Sequence, residues 1–101
     1  MMKRSEVLAR AATCVSGERE QDYGSPEQNF KTISLLWSVY LQRTPRNYVN
    51  EVDVAAMLSL LKIARIASGN AKEDNWVDLA GYAACGGELE SRNEEIQEDT
   101  N

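Results

Sequence analysis

The stretch NEVDVAAMLSLLKIARIASGN, residues 50–70, decides the fold. Val52, Val54, Met57, Leu58, Leu60, Leu61, Ile63 and Ile66 occupy most of the circumference of a helix wound at helical spacing. A helix that is apolar nearly all round is one that neighbours cover. Its limits are also written. Asn50 suits an N-cap with Asp53 at the third helical position, and Ser68-Gly69-Asn70 is a stop. We expect a helix ending near Ala67 at the centre of a bundle.

Upstream, Gln42 to Val49 reads as a loop marked by Pro45 and Asn47. Before it, Phe30, Ile33, Leu36, Trp37 and Tyr40 form the apolar stripe of a helix running to about Leu41. Ser25 as cap, Pro26 at the first helical position and Gln28 three residues after the cap mark its start. A polar connector from Gly17 to Ser25 separates it from a first helix over Lys3 to Ser16, with Val7, Leu8, Ala11, Ala12 and Val15 on one side. Downstream, a fourth helix starts near Asp74 or Asn75 and runs to about Glu90. Its small residues, Ala80, Gly81, Ala83, Ala84, Gly86 and Gly87, imply close approach of a neighbouring helix or a ligand. Alternatively, Gly86-Gly87 simply ends the helix. The remainder reads as a solvated, disordered tail. The expected architecture is all-α, a four-helix-bundle-like domain over residues 1–90 followed by a flexible acidic tail, 91–101. No repeat, Gly-rich phosphate loop or strand-like alternation competes with it.

Sixteen acids against eleven Lys and Arg give a net charge of −5. This argues against a nucleic-acid polymer or an anionic membrane as partner. Six acids and one Arg lie between Glu88 and Asn101, so the rest of the chain is near neutral and leaves room for a local basic pocket. With no histidine, the usual zinc sites and His-based general-base catalysis are excluded. Two cysteines, Cys14 and Cys85, make no disulfide framework. Met1 to Arg10 lacks the apolar core of a secretion signal, and no stretch is long and apolar enough for a membrane span. A reducing cytoplasm is the expected compartment.

The informative residues are charges that share a face with apolar ones. Asp53 lies on the stripe of Met57, Leu60 and Ala64, and Arg65 lies with Val54, Leu58 and Leu61. Asp74 and Asp78 are neighbours one turn apart, and Asp78 continues into Gly81, Tyr82 and Cys85. Three inward carboxylates, Asp53, Asp74 and Asp78, are a candidate Mg²⁺ set, since that hard ion prefers oxygen ligands and keeps waters for substrate phosphates. Lys62 and Arg65 are the candidate phosphate contacts. Lys62 points about 180° from Asp53 on an ideal helix, so one pocket holds both only by wrapping the helix or borrowing from a second subunit. Tyr23, in the connector, and Trp76 and Tyr82, on the fourth helix, are the candidate contacts to a base. Each has a plainer reading: Asp53 and Asp74 as helix-start acids, Asp78 with Arg65 as an interhelical salt bridge, Lys62 as a solvated side chain, Trp37, Tyr40 and Trp76 as core, and Tyr23 as a loop anchor.

Three segments together resemble a family of short phage and prophage proteins of unassigned function: Asp22-Tyr23-Gly24-Ser25-Pro26 with Asn29-Phe30, Leu61-Lys62-Ile63-Ala64-Arg65, and Asp74-Asn75-Trp76-Val77-Asp78-Leu79-Ala80-Gly81-Tyr82-Ala83. The resemblance spans roughly residues 18–87. More distantly, the K-x-x-R helix followed by D-x-x-x-D-x-x-x-Y is similar to MazG-like all-α nucleoside triphosphate pyrophosphohydrolases. That resemblance implies Mg²⁺ held by acid pairs on two helices, cleavage between the α- and β-phosphates, and a homo-oligomer. Asp74 and Asp78 match the second acid pair at a spacing of four instead of three. The first pair is absent in its usual form: Glu18 and Glu20, like Glu51 and Asp53, stand two apart.

Three functions follow as expectations. The first is a Mg²⁺-dependent nucleoside triphosphate pyrophosphohydrolase. The second is a non-catalytic phage protein that sequesters a nucleotide signal of host defence. The third is a helical protein-interaction module whose charges are caps and salt bridges.

Overall fold

The structure, a computed structural model, describes residues 1–16, 25–69 and 72–100. Among the described residues it contains four helices and no strand: α1 Arg4–Val15, α2 Pro26–Arg43, α3 Glu51–Ala67 and α4 Glu73–Thr100. Among the described residues, no helix is long and apolar enough to cross a membrane.

The punctuation expected from the sequence is present. Ser25 caps α2 by accepting from the Gln28 N–H at 3.3 Å, with Pro26 at the first turn. Asn50 and Asp53 form a full capping box at the start of α3, each side chain accepting from the other's backbone N–H at 2.9 Å. After α3 the chain turns at Gly69, whose φ of +92° is open only to a residue without a Cβ clash.

Helix α3 is central, packing against α2 on one side and α4 on the other. Trp37 Nε1 donates to the Met57 carbonyl at 2.8 Å, tying α2 to α3. On the other side α3 and α4 run antiparallel: Asp78 meets Lys62 and Gly86 lies against Ala55. A methyl group on Gly86 would come to 3.2 Å from Ala55 Cβ, so this glycine lets the two backbones approach. Gly81 and Gly87 face open space, and the close approach expected of all the small residues rests on Gly86.

Two expectations need correction. The fourth helix does not stop at Gly86-Gly87 or near Glu90 but continues to Thr100, through the stretch expected to be irregular. Glu, Gln and Arg are good helix formers, and Arg92 bonds Glu88 one turn back at 2.8 Å. Nor does α1 complete a four-helix bundle, since all of its residues are exposed. The body is a three-helix layer, and its buried apolar residues, Ile33, Ala55 and Ala64, are few. Val54 and Ile63, on opposite sides of α3, both remain exposed.

Candidate functional site

Two polar centres lie on α3, nine residues and therefore about 13 Å apart along its axis. The first surrounds Asp53, which is 1% exposed. Its Oδ1 accepts from the Tyr40 hydroxyl at 2.6 Å and from Arg46 Nη2 at 2.7 Å, while Oδ2 accepts from the Asn50 N–H at 2.9 Å. These donors, the Asn50 backbone foremost, then Tyr40, then Arg46, hold the carboxyl down at about 2 against the opposing effect of burial. Burial first, and then the carboxylate beside it, push the Tyr40 phenol up to about 12. Both Asp53 oxygens are committed to the fold, and the cap reading of this acid is the one the geometry bears out.

The second centre lies where α2 starts, α3 finishes and α4 starts. Lys62, expected to be solvated, is 8% exposed, because the antiparallel register lays α4 over it. Its Nζ sits 2.9 Å from Asp78 Oδ2, and the Asp78 side chain is 47% exposed. Asp78 thus forms an interhelical salt bridge, with Lys62 as a partner. Arg65 follows one turn later on α3, half-buried, and its carbonyl accepts from Ser68. Asp74 is exposed one turn before Asp78. Tyr82, one turn after it, is partly buried, whereas Trp76 is exposed and not in the core.

Two side-chain amides at this end are buried without a partner for one polar atom among the described residues. Asn75 is 2% exposed, and its side-chain nitrogen has no hydrogen-bond partner among the described residues. Asn29 lines a groove of about 390 Å³ with Lys31, Thr32, Ala64 and Ser68, and its buried side-chain oxygen likewise meets no partner among the described residues. An Asn is ordinary at a helix start, so only burial without a partner singles these out.

The structure therefore brings Lys62, Asp78, Arg65, Asp74 and Trp76 to one end of the body and leaves Asp53 at the other. Asp53, Asp74 and Asp78 do not converge, and no cluster of three acids or thiols able to hold a metal occurs among the described residues. Tyr23 lies outside the described residues.

Similarity to known proteins places the chain among phage proteins. It is 40% identical over 79 residues to the Gene 55 protein of Mycobacterium phage D29, covering 78% of this chain and 50% of that protein. It is 40% identical over 80 residues to the Gene 55 protein of Mycobacterium phage L5, covering 76% of this chain and 47% of that one. The chain thus spans about half the length of these relatives. No solved structure matches it significantly. Residues 6–90 match the family described as Domain of unknown function (DUF6378), and the chain belongs to that family.

Proposed function

We propose that this protein binds the phosphates of a nucleotide at the end of the body where Lys62 and Arg65 lie, and that it holds the nucleotide without cleaving it. The observation that carries this reading is the buried Lys62 ammonium paired to a half-open Asp78. A lysine drawn out of water needs a compensating anion. Because Asp78 is open to solvent, a phosphate can compete for the same ammonium, and Arg65 one turn on supplies a bidentate partner. The exposed indole of Trp76, at the same end of the body, offers a face for a base.

Sequestration is favoured over hydrolysis by the fate of Asp53. With both its oxygens engaged at the opposite end, the acids left near the phosphates are Asp74 and Asp78. Those two can accompany a water-rich Mg²⁺ that arrives with the nucleotide. The resemblance to MazG-like pyrophosphohydrolases keeps hydrolysis as the second reading, on these same two acids.

The test incubates purified protein with nucleoside triphosphates and cyclic oligonucleotides, with and without Mg²⁺. The protein is then filtered off, its cargo is heat-released, and both fractions are run by chromatography. An intact nucleotide recovered only from the protein fraction, and lost in Lys62→Met, is the expected result. Monophosphate plus pyrophosphate formed only with Mg²⁺ would establish the hydrolase instead. Every compound recovered unchanged in the filtrate would sink both and leave the protein-interaction reading.

A further inference from the structure

We propose that Asn75 is a further ligand contact of the phosphate site described above, an assignment that rests on that reading. Its buried amide donates to a phosphate oxygen once the phosphate has taken the place of Asp78 on Lys62.

Asn75 and Asp53 hold the same place in their helices, the third residue of α4 and of α3. An acceptor suits that place, because it takes an orphan N–H of the helix start. Asp53 does so for the Asn50 N–H at 2.9 Å, and its other lone pairs meet Tyr40 and Arg46. An aspartate at 75 would offer the same acceptor and bring no donor with it. The amide does bring one, and Asn75 Nδ2 is buried with no partner among the described residues. At 2% exposure the residue is also shut off from bulk water. A buried donor left unmet destabilises the free protein. Nothing in the described fold calls for a donor at this position, whereas an incoming acceptor would.

The acceptor that fits is an anion. Asn75 lies on the line of Leu79, Tyr82 and Gly86, the partly buried seam of α4 that faces α3. Asp78 is three residues on and therefore its neighbour on the helix surface. Lys62 Nζ, drawn out of water, lies 2.9 Å from Asp78 Oδ2. A buried ammonium and a buried amide donor thus flank one carboxylate. The place is also the start of a 28-residue helix, where the peptide dipoles favour negative charge.

Asp78 is the member of this arrangement that can leave. Asp53 is 1% exposed and held by three donors, whereas the Asp78 side chain is 47% exposed. Swung into solvent it regains water, while Lys62 is left needing another anion. A phosphate that enters there has oxygens to spare. One meets the Lys62 ammonium, and a second takes Asn75 Nδ2, which the tethered Asp78 carboxylate leaves unmet. Asp78 is therefore an internal competitor of the ligand, and its removal should tighten phosphate binding.

The test measures pyrophosphate binding by titration calorimetry, at constant ionic strength and without Mg²⁺, alongside thermal melts by circular dichroism. The full-length wild type is compared with Asp78→Ala, Asn75→Leu and the double variant. Asp78→Ala is expected to melt about 5–10 °C lower, because Lys62 loses its partner, and to recover that loss in pyrophosphate. Its affinity should exceed that of the wild type about tenfold, the competitor being gone. Asp78→Asn, which keeps the side-chain shape, takes its place where the truncated chain fails to fold. Asn75→Leu is expected to melt slightly higher than wild type, since it removes an unmet donor. It should bind pyrophosphate about tenfold more weakly, with a like loss in the double variant. Loss of the Asp78 carboxylate without a gain in affinity, or an Asn75→Leu chain that binds as well as wild type, would overturn the proposal. A lower melt of Asn75→Leu with binding intact would mark the amide as structural and do the same. Nucleotide retained by the wild type and lost in Lys62→Met would still support the phosphate reading in those cases, whereas no phosphate bound by any chain would end both.

Discussion

Asp53 shows how a single carboxylate becomes structural. Its three donors come from three places: the end of α2, the loop after it and the cap of α3. Removing the charge leaves Arg46 and Tyr40 facing an amide. Asp53→Asn is expected to cost about 2–3 kcal/mol, and Tyr40→Phe about 1.5–2 kcal/mol, in urea unfolding. The Asp53 carboxyl is held near 2, below the ordinary value of 3.8. Its contribution to stability is therefore present above about pH 4 and lost as the pH falls toward 2, because the unfolded chain binds the proton first. Unfolding midpoints measured across that window should fall in the wild type and flatten in Asp53→Asn. Tyr40 works in the opposite sense. With its phenol at about 12, its share is present below pH 10 and lost as the pH rises toward 12.

At the scale of the helix, the glycines of α4 separate by what stands opposite them. Gly86 faces Ala55 at a distance that leaves no room for a large side chain. Gly87, one residue on, faces open space. Gly87→Ala is expected to stabilise by roughly 0.5–1 kcal/mol through helix propensity alone. Gly86→Leu is expected to destabilise by about 1–3 kcal/mol, since α4 must move off α3. Thermal melts of the two variants distinguish this from a uniform glycine effect. Neighbouring identical residues with opposite consequences also show what the sequence conceals. Caps and stops are local chemistry, and Ser25-Pro26, the Asn50–Asp53 box and Gly69 were all legible from a few residues. The pairing of Lys62 with Asp78 depends on the register between two helices, which no local pattern encodes. From the sequence alone Lys62 has two open readings, a phosphate contact and a solvated side chain, and its burial under α4 is in neither. The helical tail is hidden for a related reason: acidic composition suggests disorder, but Glu, Gln and Arg are good helix formers and the Arg92–Glu88 pair one turn apart favours helix.

The whole molecule is extended. Its radius of gyration is 17.2 Å, against about 13 Å for a compact chain of this length. Few apolar residues are fully buried, while large ones on every helix are exposed. A body with so little core gains stability by covering surface with another molecule. If the folded state is an assembled one, dilution should unfold it, and the thermal midpoint is expected to rise with protein concentration. Hydrogen exchange resolves the same question along the chain. Amides of α3 should exchange slowest, because α2 and α4 flank that helix. Amides of α1, none of whose residues is buried, should exchange fastest among the four helices. Protection of α1 that grows with protein concentration would place that helix at the contact between copies.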